Sequence, residues 1–108
     1  MRLETDTAVV PALWLFETLN GLEIMRRRRR LDSQTLADAM LVLSLLPIEI
    51  EAADFEQYAA TLLPLAQEHG LTVYDAAYLE LAKRRRLPLA TLDDALRKAA
   101  KKVKVRLI

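Results

Sequence analysis

Apolar positions recur along this chain at helical spacing, broken by short runs that suit strands. Val9 and Val10 read as the end of a strand or an extended entry. Pro11 suits the first turn of a helix, where its missing N–H is no loss, and Leu13, Phe16, Leu19 and Asn20 follow at helical spacing. Asp32 or Ser33 can cap a second helix through Leu36, Ala39, Met40, Leu43 and Leu46. Residues 47–50, Pro-Ile-Glu-Ile, form a strand candidate. A third helical period covers 51–68 through Phe55, Tyr58, Leu62 and Leu65, where Pro64 is expected to bend or break it. Gly70 fits the position past a helix end, and Thr72 can cap a helix over 73–85 with Ala76, Ala77, Leu79 and Leu81 on its buried side. Residues 87–90 read as a buried strand, 93–100 as a short helix, and 103–107 alternate like a final strand.

Alternating strands and helices predict an α/β fold, a short, largely parallel sheet with helices on both faces in three layers, forming one domain over residues 1–108. The first clear element is a helix, and the strand before it is barely present. A parallel sheet without its first strand exposes a long edge, so the chain is expected to begin inside a longer fold.

Composition narrows the classes. A 108-residue chain that is 53% hydrophobic and 29% charged is ordinary for one folded domain and unlike a disordered segment. It has no cysteine, which removes disulfides and thiolate metal sites. The first six residues hold no apolar signal core, and the longest apolar runs fall far short of the ~20 residues of a membrane helix. The expectation is a soluble, cytoplasmic protein with no membrane partner. The net charge of +1 hides an asymmetry: residues 1–54 carry six basic and nine acidic side chains, whereas 55–108 carry ten and six, all ten cations lying between Lys83 and Arg106. Five more arginines run from Arg26 to Arg30.

The candidate chemistry lies in carboxylates. Two glycines leave no phosphate-cradling loop, and one histidine with no cysteine argues against a nucleophilic triad. His69, just before Gly70, suits a helix end where the dipole favours a cation. Three acids stand out by position. Glu17 lies within an apolar helical stretch, Asp75 in the first turn of an Ala- and Leu-rich helix, and Asp93 at the carboxyl end of the 87–90 strand. Open α/β sheets bind ligands at that end. Clustered carboxylates repel unless a cation neutralises them, and oxygen-only ligands suit Mg²⁺ or Mn²⁺. Each also has an ordinary structural role: Asp75 complements a helix dipole, Asp93 caps the last helix, and Glu17 lies on a solvated face.

Three segments resemble the PIN-domain ribonucleases of the VapC toxin type. Residues 10–20, Val-Pro-Ala-Leu-Trp-Leu-Phe-Glu-Thr-Leu-Asn, keep the P-x(5)-E-x-x-N spacing of the segment bearing the family's second acid. Residues 74–82, Tyr-Asp-Ala-Ala-Tyr-Leu-Glu-Leu-Ala, resemble its Y-D-A-x-Y-L-x-L-A motif, and residues 89–93, Leu-Ala-Thr-Leu-Asp, its L-x-T-x-D strand end. The resemblance implies a PIN fold and Mg²⁺- or Mn²⁺-dependent endonucleolytic cleavage of RNA. It implies catalytic and metal-binding roles for Glu17, Asp75 and Asp93, with Asn20 and Thr91 in support. It also implies a toxin silenced by a cognate antitoxin.

The departure is at the start. PIN domains open with a strand ending in an aspartate some 35 to 40 residues before the Pro11 segment, and only ten residues precede Pro11 here. Asp6 does not take that role. The chain is therefore expected to lack the first catalytic aspartate, to cleave RNA weakly or not at all, and to form a homodimer that covers the exposed edge. The alternative is a non-catalytic binding module acting through an antitoxin or through self-association near Trp14, Leu43 and Leu46. Lys83, Arg84, Arg85 and Arg86 end a helix, where the dipole favours cations. Arg84, Arg85 and Arg86 are equally candidates for RNA contacts, as a phosphate-contacting rim around the acidic site.

Overall fold

A computed structural model describes residues 7–108 as five helices and a two-stranded parallel sheet, a small α/β fold. Asp6 lies outside the described residues. The described residues divide into two compact units, 7–51 and 52–108.

The first unit contains strand β1 (Ala8–Pro11), helix α1 (Leu13–Arg27), helix α2 (Ser33–Leu45) and strand β2 (Ile48–Glu51). The strands pair in parallel from Ala8 opposite Ile48 to Pro11 opposite Glu51, so a helical crossover must join them. Pro11 closes β1 rather than opening the helix. A strand end with an unpaired side tolerates the missing N–H, and Ala12 takes the N-cap position without a side-chain hydrogen bond. Asp32 caps α2 by accepting from the Thr35 N–H at 2.7 Å. That bond favours the charged carboxylate and lowers its pKa. Neither α1 nor α2 has a buried residue, and Phe16, Leu41, Val42 and Leu45 are exposed.

The second unit is built from α3 (Phe55–His69), α4 (Val73–Arg85) and α5 (Asp94–Lys102). α3 starts at Phe55 because residues 48–51 belong to β2. It also runs through Pro64 without a break. Proline forfeits one backbone bond at a cost of about 3 kcal/mol, and burial of Leu62 and Ala66 on either side outweighs it. α4 starts where Thr72 accepts from the Asp75 N–H at 3.1 Å, and it buries Ala76, Ala77, Leu79 and Leu81 as their spacing predicts. Glu80 is buried too, because Arg84 one turn later donates Nε to its Oε2 at 2.8 Å. α5 is amphipathic: Leu96, Ala99 and Ala100 face inward, and its lysines point to solvent. Leu79, Ala82, Leu89, Leu96, Ala99, Ala100 and Val105 form one core cluster.

The two expected C-terminal strands reduce to one parallel bridge, Leu89 to Leu107, with Leu89 N–H donating to the Arg106 carbonyl at 2.8 Å and Ile108 N–H to the Leu89 carbonyl at 3.0 Å. The alternation at 103–107 is interrupted because α5 closes there. Val103 is its C-cap, Lys104 is left-handed at φ 62°, and the Val105 N–H donates to the Ala100 carbonyl at 2.8 Å. α1, α3 and α4 end alike: a left-handed residue (Arg29, Gly70 or Arg86) precedes an N–H bonded five residues back. In three of these four closures the left-handed residue is a cation rather than glycine, a strain of about 1–2 kcal/mol per position.

Leu79 is wholly buried at the centre of the second unit. Leu79→Ala is expected to destabilise the protein by about 2–5 kcal/mol, read as a lower urea midpoint.

Candidate functional site

The C-terminal ends of α4 and α5 meet at one basic pocket. From α4 the chain passes through residues 87–93, which contain no helix or turn, a reach of about 20 Å. α5 then returns. Its closing residues Val103, Lys104, Val105 and Arg106 line the same pocket as Lys83, Arg86, Leu87 and Pro88 at the end of α4. With the C-terminal ends of both helices at this pocket, their N-terminal ends lie away from it, by about 20 Å for α4 and about 13 Å for α5. Those N-terminal ends carry Asp75 and Asp93.

Asp75 lies in the first turn of α4, half-buried, one turn before the buried Leu79 and so on the same face. Asp93 is exposed and is the N-cap of α5, its Oδ2 accepting from the Leu96 N–H at 2.9 Å. A second carboxylate oxygen remains for another ligand. Thr91 fixes this corner through the backbone rather than through a carboxylate: its Oγ1 accepts from the Asp93 N–H at 3.1 Å. Its carbonyl accepts from Arg97 Nη1 at 3.0 Å.

Arg97 was not singled out by the sequence, although its place four residues after Asp93 on one helical face was the available signal. The Glu80–Arg84 pair carries the same signal. Arg84 is thus held by Glu80 on its own helix, and Arg84, Arg85 and Arg86 lie at the end of α4 remote from Asp75 rather than beside it.

Glu17 and Asn20 are exposed on α1 of the first unit. His69 ends α3 with a side chain only 6% exposed, and its Nε2 has no hydrogen-bond partner among the described residues. Among the described residues no three His, Asp or Glu side chains are grouped to hold a metal ion. In chemical type the donors fit a hard divalent cation, which takes carboxylate oxygens and keeps waters.

A family model described as PIN domain matches residues 1–102. No curated protein matches the chain.

Asp93 offers a substitution that separates capping from charge. Asp93→Ala is expected to cost about 1 kcal/mol of stability through the lost cap, whereas Asp93→Asn, itself a good cap, is expected to cost no more than a few tenths. Urea unfolding of both variants checks this.

Proposed function

The chain belongs to the PIN domain family, and from that membership we propose that it is a metal-dependent endoribonuclease of the VapC toxin type, acting in the cytoplasm and silenced by a cognate antitoxin. PIN domains are in general divalent-metal-dependent nucleases. What supports the reading for this chain is that Asp75 and Asp93 each stand at the N-terminal end of a helix whose C-terminal end lines the basic pocket, and so away from that pocket. Glu17 is the third acid of the proposed set, and Asn20 supports it.

In this reading Asp75 and Asp93 would hold Mg²⁺ or Mn²⁺ through carboxylate oxygens, and Glu17 is assigned to the acid set by its sequence motif alone. The metal, when bound, supplies Lewis-acid activation of the phosphodiester and of the attacking water. The chain's own part is orientation. The Thr91 hydroxyl and the Arg97 guanidinium hold the Asp93 corner in place. The Thr72 cap fixes the first turn of α4, which presents Asp75.

The exposed apolar residues of α1 and α2 support protein association, with the antitoxin or as a homodimer. Among the described residues no helix is long and apolar enough to cross a membrane.

The test is cleavage of a single-stranded RNA. At most weak cleavage is expected with Mn²⁺; it is expected to stop with EDTA and to fall on the order of 100-fold in Asp75→Asn and in Asp93→Asn, a loss of about 2.7 kcal/mol of transition-state stabilisation. Equal turnover by wild type and both variants contradicts the assignment. Absence of any metal-dependent cleavage by a folded wild type favours a binding module.

A further inference from the structure

The pocket at the far end of the second unit has a volume of about 390 Å³, and four of its lining residues are cations: Lys83, Arg86, Lys104 and Arg106. It has no acidic lining residue. Among the described residues none of the four makes an ion pair or a side-chain hydrogen bond. The bland explanation is that cations collect at helix C-termini. Each such end carries about half a negative charge, so two ends account for about one unit and leave roughly three positive charges facing the pocket. Arg86 and Lys104 are the left-handed residues of their helix closures, and both line the pocket.

We propose that this pocket binds the phosphodiester backbone of single-stranded RNA at a distance from the acids, as an anchoring site for the strand that the acidic end cleaves. The proposal rests on the nuclease reading and assigns a second contact to the same substrate. Arg86 and Arg106 offer planar forks that match phosphate oxygens, and Lys83 and Lys104 act as point charges. No aromatic residue lines the pocket, so there is no platform for stacking bases, and binding here is independent of base sequence. A strand that occupies both ends must span about 20 Å, so oligonucleotides too short to reach are held at one end only. The acids alone would repel RNA; the anchor draws it to the protein and leaves the metal ligands free.

The experiment is anisotropy titration of the full chain with a 5′-labelled single-stranded RNA in EDTA, which prevents cleavage, across a range of salt. The double variant Lys83→Gln/Arg106→Gln leaves both left-handed residues in place and is checked for folding by circular dichroism. It is expected to bind about tenfold more weakly, and its log-affinity against log-salt slope is expected to be shallower by about 1.4, two phosphates at ~0.7 each. Oligonucleotides of equal length but different sequence are expected to bind alike. Unchanged affinity and slope in the folded double variant overturn the proposal. Two competitors distinguish other occupants. Inorganic phosphate that binds without being displaced by RNA makes this a free-phosphate site, and poly-glutamate that binds as tightly as RNA makes it an acceptor of acidic protein; either result overturns the RNA assignment. The nuclease reading fails separately. Loss of binding in the double variant together with no Mn²⁺-dependent cleavage by wild type leaves the anchor standing and removes the catalytic claim.

Discussion

The packing of α4 against α5 around Leu79, Leu96, Ala99 and Ala100 is the constraint on which the rest of the second unit depends. Because both helices bring their C-terminal ends to one pocket, the residues at their N-terminal ends lie away from it. Small side chains make the packing possible: Ala82, Ala99 and Ala100 let the backbones approach while Leu79 and Leu96 fill the space between. The parallel bridge from Leu89 to Leu107 then ties the crossover to the chain's last described residues. The result is a unit whose basic pocket lies at the helix C-terminal ends, away from Asp75 and Asp93 at the N-terminal ends. The buried Glu80–Arg84 contact lies within a single helix and neutralises a charge that burial would otherwise penalise.

Much of this was legible in the sequence because it is local. The Thr72 cap, the buried face Ala76, Ala77, Leu79 and Leu81, the Gly70 closure and the Asp93 cap all follow from residue type and spacing. What sequence reasoning missed depends on tertiary context. Pro64 looks like a helix breaker, but Leu62 and Ala66 are buried against the unit and hold the helix together. Alternation at 103–107 looks like a strand, but the left-handed Lys104 needed to close α5 interrupts it. Pro11 looks like a helix opener because proline suits both a first turn and a strand end; only the register with Glu51 decides.

The candidate site was legible in part for a similar reason. Asp75 and Asp93 were marked by their positions at element ends, which is also what makes them good structural residues. Asp93 shows that the two roles are compatible: one carboxylate oxygen serves the Leu96 N–H and the other remains. The basic cluster divided differently from its appearance in sequence. Arg84 turned toward Glu80, while Lys83 and Arg86 joined Lys104 and Arg106, some twenty residues on, around one pocket. No spacing rule connects those four, because the turn-free crossover through Leu89 and the return of α5 bring them together.

The separation of a metal-binding end from a phosphate-binding end is the central claim, and paramagnetic broadening of backbone amide NMR signals by Mn²⁺ tests it most directly. The account predicts that sub-stoichiometric Mn²⁺ erases the signals around Asp75 and Asp93 first and leaves those of 83–88 and 103–106 visible, and that Asp75→Asn removes the effect. Broadening centred on the basic pocket, or spread evenly over the surface and indifferent to Asp75→Asn, would contradict it.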